Sequence, residues 1–296
     1  MKRRLLYLIN LLLLSSCGIS NKNSTNTIYT SFYPIYDFTK KIVGDKINVE
    51  NLTPYGAEPH DYEPTTLDVR NMYDSKGIFI NGLGLENYYE SLPKEIKNKT
   101  YVVTNDIEII KIKNVIDPHV WLSIPNAIKE MENILDKVIK LDADNKDFYI
   151  SNFNSHKNNF LNLYNDYSNK LKDVKNKSIV VSHAAFGYLC KDYGLEQIYV
   201  DGLSPNKEPN AKDIERIIET IKKYKISTIF YEELVSPEIS KKIASETGAK
   251  IEVLNPLEGL SKEESKDNDY LSVMKKNYDK ILEACNDTLW KCYICL

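Results

Sequence analysis

Three of the four histidines in this chain lie in short motifs that could hold a metal ion. His60 is in EPHDYEPT, His119 in DPHVWL and His183 in SHAAFGYL, and a carboxylate, Glu258, lies in LNPLEGL. Three neutral imidazoles and one carboxylate form a coherent ligand set for Zn²⁺, whereas additional carboxylates would favour Mn²⁺. These four residues are therefore the candidate metal ligands.

The motif around His60 predicts a rigid loop. Pro59 and Pro64 fix the backbone on either side of the histidine, and each restrains the residue before it to an extended conformation. An imidazole on such a loop can be aimed at a ligand. From this motif alone, a loop histidine that makes one ordinary hydrogen bond remains an equal alternative.

Eight short apolar stretches rich in β-branched residues predict strands, with helical patterns between most of them. This alternation is typical of parallel α/β sheets. Each candidate ligand follows the end of a strand, two in each half of the chain, so two facing sheets would bring all four into one cleft. The predicted strands are 27–32, 47–52, 77–81, 101–104, 178–182, 197–201, 228–231 and 250–254.

A segment without Gly or Pro, 142–175, separates the two sets of strands. Its apolar residues recur at helical spacing, which predicts one rigid helix of roughly 50 Å joining the lobes. We expect an N-terminal α/β lobe at 27–141, the linker helix at 142–175 and a C-terminal α/β lobe at 176–284. His156, on this helix, is interpreted as a solvated side chain.

The ends of the chain predict targeting and a tail. Residues 1–16 combine a basic start with an apolar run too short to span a bilayer, as in a signal peptide. The next residue, Cys17, closes the sequence Leu-Ser-Ser-Cys, which resembles a bacterial lipobox, and 17–26 reads as a flexible tether. Residues 285–296 form a tail with three cysteines. Without 1–16 the basic residues fall from 39 to 36 against 42 acidic ones, and no basic stripe indicates nucleic-acid binding.

Taken together, the motifs resemble those of the metal-binding lipoproteins of ATP-binding-cassette (ABC) importers. The similarity covers 27–284 and is closest to the zinc-uptake branch of the cluster, called A-I, that also takes up manganese. The motifs that carry it are EPHDYEPT, NGLGLE, DPHVWL, SHAAFGYL, YEELVSP and LNPLEGL.

The resemblance implies a non-enzymatic protein that binds Zn²⁺, or alternatively Mn²⁺, as its transported ligand. The ligands of the family carry over to His60, His119, His183 and Glu258. A monomer anchored to the extracytoplasmic side of the cell membrane by a lipid on Cys17 would deliver the ion to an ABC permease and its ATPase. Manganese-type relatives tend to have a carboxylate at the position of His183, so the histidine here favours zinc.

Some alternatives stay open. Glu232, Glu233 and Asp201 compete with Glu258 as the fourth ligand, although a solvated rim is the favoured interpretation of all three. A zinc hydrolase with an open coordination position would fit three histidines, but no HExxH spacing is present. A surface adhesion lipoprotein with structural metal is the other alternative. The partners of the imidazoles are sought among Glu58, Asp61 and Asp117.

Overall fold

Two parallel four-stranded sheets, one in each lobe, organise the chain. The computed structural model describes residues 24–200, 202–203, 211–232 and 238–287. The strands of the first sheet are β1 Thr27–Thr30, β2 Asn48–Asn51, β3 Gly77–Ile80 and β4 Thr100–Val102. A small antiparallel hairpin follows, formed by β5 Lys111–Ile112 and β6 Val115–Ile116. The strands of the second sheet are β7 Ser178–Val181, β8 Glu196–Tyr199, β9 Thr228–Tyr231 and β10 Lys250–Val253.

The two sheets share one topology. The first has the order β2-β1-β3-β4 and the second β10-β9-β7-β8, so in both the spatial order of successive strands is second, first, third, fourth. The predicted α/β class and the eight predicted strands are confirmed, while the hairpin was not predicted. In such open parallel sheets, ligands bind outside the carboxyl ends of the strands.

Helices cover both faces of the sheets, as parallel strands require. In the described part of the chain none of them has the length and apolar character needed to cross a membrane. The helices are α1 Tyr33–Val43, α2 Thr66–Asp74, α3 Lys94–Lys97, α4 Ile124–Leu141, α5 Lys146–Leu171, α6 Gly187–Tyr193, α7 Ala211–Tyr224, α8 Glu238–Thr247, α9 Glu264–Asp267 and α10 Tyr270–Asn286.

The longest helix, α5, is shorter than predicted, with 26 residues and a length of about 39 Å. The segment without Gly or Pro that predicted it includes 142–145, but there the backbone forms a 3-10 turn at Ala143–Asn145. Asp142 causes the break, because its carboxylate accepts hydrogen bonds from the Asn145 amide (3.0 Å) and the Tyr149 hydroxyl. At the other end, Lys177 Nζ donates to the carbonyl of Leu171. The domain boundaries proposed from the sequence stay a prediction.

One large cluster of buried hydrophobic residues runs through both lobes and includes α5. Tyr270, which begins α10 of the second lobe, lies between Phe38 of α1 (ring centroids 4.8 Å apart) and Phe160 of α5 (5.2 Å, stacked). All three rings are fully buried. Aromatic pairs of this kind stabilise by about 0.5–1.5 kcal/mol beyond their buried area. The lobes are therefore packed against each other through a continuous apolar interior.

Candidate metal centre

His60 is positioned by a loop that leads from β2 to α2. Its backbone N–H donates to Glu58 Oε1 (3.2 Å), and its carbonyl accepts from the Asn87 amide (2.8 Å). The loop ends in a capping box, in which Thr65 accepts from the backbone of Asp68 and Asp68 accepts from the backbone of Thr65. The predicted rigid loop and the helix after it are thus both present, and the side chain is 9% exposed.

His119 is fully buried, as His183 is, and lies just after the hairpin. Its Nδ1–H donates to Asp117 Oδ1 (2.7 Å), and the same oxygen accepts from its backbone N–H (3.0 Å). Asn81, at the end of β3, donates to the carbonyl of Pro118 (3.0 Å). Because Nδ1 carries the proton, the lone pair of Nε2 is available to a metal ion. Asp117, one of three suggested partners of the imidazoles, has that role.

His183 follows β7 and is held by a carboxylate from the neighbouring strand. Its Nδ1 donates to Glu232 Oε1, which also accepts from the hydroxyl of Ser182 (2.8 Å). The interpretation of Glu232 as a solvated rim residue is wrong, because the residue is 3% exposed. The reason is strand order: β9 lies beside β7, so the residue after β9 faces the residues after β7. Glu232 thus fixes the orientation of the His183 ring through Nδ1, on the side away from Nε2.

Glu258 reaches the cluster on the loop after β10. This loop is fixed to α10, because Asn255 accepts from the Asn277 amide through its carbonyl (2.6 Å) and donates to Asn277 Oδ1 through its backbone N–H (3.0 Å). It also crosses to the first lobe at Gly259, where an added Cβ would lie only 3.2 Å from the carbonyl oxygen of Ala57. The absence of a side chain at Gly259 allows this approach. The Glu258 side chain is 2% exposed.

The four candidate ligand atoms converge on one point between the lobes. His119 Nε2 lies 3.3 Å from the Nε2 atoms of both His60 and His183. Glu258 Oε1 lies 2.9 Å from His119 Nε2 and 3.4 Å from the Nε2 atoms of the other two. A tetrahedral zinc site with bonds of 2.0–2.1 Å has ligand–ligand edges of about 3.3 Å. Four of these five distances lie close to that edge length, and the fifth, from His119 Nε2 to Glu258 Oε1, is shorter.

The charges of the cluster are tightly coupled. Burial opposes a charge on His183, but the charges of Glu232 and Glu258 outweigh it and raise its pKa well above the usual value. Burial likewise opposes a charge on His119, and hydrogen bonds to Asp117 and Glu258 raise its pKa. Burial favours protonation of Glu258, yet the charge of His183 and hydrogen bonds from the imidazoles hold its pKa well below the usual range. The carboxylate is therefore ionised and paired with positive charge.

A small acidic pocket adjoins the cluster on the side of Glu258. Glu58 is half-buried there, and its burial together with the charge of Glu258 raises its pKa to about 8. The pocket is lined by Glu58, Glu232, Asn255, Pro256, Glu258, Gly259 and Glu264.

The fourth histidine, His156, lies apart from the cluster. His156 is on α5 and is half-buried rather than solvated. Cys17, Asp201 and Glu233 lie outside the described residues. Sequence reasoning also missed Trp121, whose indole N–H donates across the lobes to the carbonyl of Pro256 (2.8 Å). The only signal for it is a Trp two residues after the histidine of DPHVWL.

Two similar α/β lobes with converging imidazoles and a carboxylate define a two-lobed binding protein for a divalent metal ion. The family model described as "Zinc-uptake complex component A periplasmic" matches residues 28–284. This chain belongs to that family, which confirms the resemblance seen in the motifs.

Individual relatives agree with this assignment. The high-affinity zinc uptake system protein ZnuA of Bacillus subtilis (strain 168) is 36% identical, and the match covers 92% of this chain and 94% of that protein. The zinc-binding lipoprotein AdcA of Streptococcus pneumoniae (strain ATCC BAA-255 / R6) is also 36% identical over 94% of this chain, but the match covers only 61% of AdcA. This chain thus corresponds to part of AdcA.

Solved structures show the same fold. The Zn(II)-bound ZnuA-like domain of S. pneumoniae AdcA has a TM-score of 0.79 and 37% identity, covering 88% of this chain and 99% of that one. The laminin binding protein Lmb of Streptococcus agalactiae, described as bifunctional with adhesin and metal transporting activity, has a TM-score of 0.82 and 32% identity, with the same coverage.

Proposed function

We propose that this protein captures Zn²⁺ outside the cytoplasm, through His60, His119, His183 and Glu258, and delivers it to an ABC permease and its ATPase. The observation that carries the proposal is that three Nε2 atoms lie 2.9 Å, 3.4 Å and 3.4 Å from one carboxylate oxygen, distances close to the separation of neighbouring ligand atoms in a zinc site. The family and the names of the relatives support the same cargo.

The donor set favours zinc over manganese. Three imidazoles and one carboxylate leave a zinc complex with one net positive charge, whereas harder Mn²⁺ is suited to sites richer in oxygen. Asp117 and Glu232 add charge behind the imidazoles without being ligands, because they face Nδ1 rather than Nε2. Such outer carboxylates raise the basicity of the ligand and fix its tautomer.

Metal analysis and competition test this proposal. Protein purified without added metal, stripped and then titrated should take up one tightly held zinc per chain, and Mn²⁺ should not displace it at equal concentration. A His60→Ala, His183→Ala double variant serves as the site-free control. Tight zinc uptake by that control, or preference of the parent for Mn²⁺, would overturn the proposal.

Attachment to the membrane by a lipid on Cys17 is part of the same proposal. It is supported by the lipobox-like sequence before Cys17 and by the name of the AdcA relative, a zinc-binding lipoprotein. A Cys17→Ala variant expressed in a bacterial host should lose labelling by radioactive palmitate and leave the membrane fraction. A variant that keeps its label would refute the anchor and leave the metal site unaffected.

Capture proceeds with little movement of the lobes. The continuous core and the stacking of Tyr270 on Phe160 oppose a wide hinge motion. We expect the small rearrangements needed for entry and release to occur in the loops that carry the ligands. Small-angle scattering curves of the zinc-free and zinc-bound protein should therefore be nearly superimposable, and a difference typical of domain closure would contradict this.

Adhesion is a second candidate function, favoured by the similarity to the laminin binding protein Lmb. It is compatible with zinc capture. Immobilised laminin should then retain the purified protein, and a deletion strain would lose adhesion. Slow growth of that strain in zinc-poor medium, restored by zinc, would separate transport from adhesion.

A further inference from the structure

The hydroxyl of Tyr188 joins two backbone segments beside the metal centre. Tyr188 is the second residue of α6 in the second lobe and is 2% exposed. Its Oη donates to the carbonyl of Asp117 (2.9 Å) and accepts from the backbone N–H of Ile110 (3.0 Å). Asp117 and Ile110 are also joined directly, since the Asp117 N–H donates to the Ile110 carbonyl (2.9 Å). One hydroxyl of the second lobe thus closes the base of the β5–β6 hairpin in the first.

The ring of Tyr188 is anchored independently of its hydroxyl. It packs in a small apolar cluster with Ile107 and Val120, both from the first lobe. A change that removes only the hydroxyl would leave this packing in place. The contribution of the hydrogen bonds can therefore be separated from that of the ring.

Asp117 is the residue through which this contact reaches the metal centre. Its Oδ1 receives two hydrogen bonds from His119, whereas its Oδ2 is buried and has no hydrogen-bond partner among the described residues. Gly187, next to Tyr188, lies against Oδ2: an added Cβ would be only 2.9 Å away. The carboxylate is held by its backbone and by the shape of its surroundings, with few side-chain bonds of its own.

We infer that Tyr188 is a positioning residue of the metal centre, which from the second lobe sets the place of Asp117 and thereby the orientation of His119. The inference rests on the proposed function and deepens it. Because Tyr188 and Asp117 belong to different lobes, the packing of the two lobes against each other also determines the orientation of His119. Any displacement of the hairpin base would be felt at His119.

The test compares the parent with Tyr188→Phe and with Tyr193→Phe. Tyr193 is a matched control on the same helix, with a buried ring that packs on Tyr164 and Tyr278 away from the hairpin. Loss of a partner beyond the ligands typically weakens metal affinity 10–100-fold, and we expect about tenfold for Tyr188→Phe. Zinc release to a fluorescent chelator should accelerate to a similar extent. The visible absorption bands of the Co²⁺-loaded protein should shift in Tyr188→Phe alone.

A double-mutant cycle with Asp117→Ala distinguishes positioning from a general loss of stability. If Tyr188 acts through Asp117, Tyr188→Phe should change the zinc affinity by less than about twofold once the carboxylate is absent. An equal loss in both backgrounds would overturn the inference. Gly187→Ala, which displaces the same carboxylate, should weaken binding in the parent and have little further effect after Asp117→Ala.

The outcomes also separate this inference from the proposed function. A parent that takes up no zinc would refute the proposed function. A parent that binds zinc, together with a folded Tyr188→Phe protein of unchanged affinity, release rate and Co²⁺ spectrum, would refute only the role of Tyr188. Circular dichroism and urea unfolding of each variant establish that it is folded.

Discussion

Two buried glutamates of this protein, Glu258 in the metal centre and Glu130 in α4, have opposite electrostatic states. Both are almost entirely inaccessible, at 2% and 0% exposure. The pKa of Glu258 lies well below its usual value, whereas the pKa of Glu130 is raised well above it by burial and by the nearby charge of Glu86. Equal burial therefore does not determine whether a carboxyl group is charged.

The difference lies in the partners. Glu258 Oε1 is within 3.4 Å of the Nε2 atoms of all three cluster histidines. Neither carboxyl oxygen of Glu130 has a hydrogen-bond partner among the described residues. A buried charge is tolerated only when it is paired and hydrogen-bonded; otherwise the group becomes neutral. In the metal centre, protonated histidines thus supply the positive charge that pairs with the ionised Glu258. A bound metal cation can replace the protons that give the histidines this charge.

The largest effect is expected from removing the shared centre of the cluster. His119→Ala deletes one proposed metal ligand, which is also the imidazole nearest to Glu258. Since loss of an outer partner alone costs 10–100-fold, we expect loss of this ligand to weaken zinc binding more than about 100-fold. Competition with a chromophoric chelator measures it.

His156→Ala is the matched control, because this histidine lies on α5 outside the cluster. It should bind zinc as the parent does. Retention of parental affinity by His119→Ala would mean that the three-histidine cluster is not the zinc site. The contrast between Glu258 and Glu130 would then say nothing about metal binding.

A smaller effect should follow when only the charge behind His183 is removed. Glu232→Gln keeps the size of the side chain but removes the negative charge that faces Nδ1 of the imidazole. The imidazole becomes a weaker donor, so we expect zinc affinity to fall about tenfold, at the lower end of outer-partner effects. Isothermal competition titration detects this change. Glu238→Gln, on the exposed start of α8, is the charge-matched control, and equal affinities of all three proteins would show that Glu232 has no role in binding.

The role of Glu232 shows where sequence reasoning stopped. The ligand motifs could be recognised because each lies next to its own strand end, and Asp117 could be suggested because it is two residues from His119. Glu232 is 49 residues from His183. Its position depends on β9 lying beside β7, and the order of strands in a sheet cannot be inferred from the sequence of any one segment. Local relations were predicted, whereas contacts made by strand order were not.

The same division holds for the fold. Alternation and β-branched residues predicted the strands, and helical spacing predicted α5. The start of α5 was predicted too early, since the absence of Gly and Pro does not mark where a helix begins, and Asp142 accepts side-chain hydrogen bonds from Asn145 and Tyr149 around the 3-10 turn before α5. Nor does any pattern indicate the Tyr188 contact, which joins two lobes across 71 residues.

The pH dependence of zinc binding tests the charge states of the histidines in the metal centre. The pKa values of His119 and His183 are raised in the metal-free protein, so protons occupy the cluster at a higher pH than they would occupy a free imidazole, near 6.5. Zinc must displace these protons. Affinity should therefore fall as pH decreases, by about tenfold per pH unit for each proton displaced.

Chelator competition at several pH values between about 8 and 5 measures this slope. Proton release on zinc binding, followed with a pH indicator in weak buffer, gives the number of protons independently. An affinity that stays flat from about pH 7.5 to 5 would contradict a centre of three imidazoles.

The last prediction concerns Glu130, and its effect is on the stability of the fold, with no effect expected on zinc affinity. Its pKa is raised on folding above the value of 4.5 for an unhindered glutamate, so the parent gains stability at pH values below this point and loses it as pH rises towards the pKa in the folded state. Glu130→Gln replaces the protonated acid by a neutral side chain of similar shape that does not titrate. The free energy of unfolding of the variant relative to the parent should therefore increase with pH above about 4.5, by at most about 1.4 kcal/mol per unit. Urea unfolding of the zinc-free proteins at pH 5, 6, 7 and 8 measures the difference, in which the titration of the metal centre cancels.

Asp136→Asn, an exposed position on the same helix, is the control and should change stability by less than about 0.5 kcal/mol at each pH. A difference between Glu130→Gln and the parent that does not depend on pH would show that Glu130 is charged in the folded protein, and the contrast with Glu258 would then be wrong.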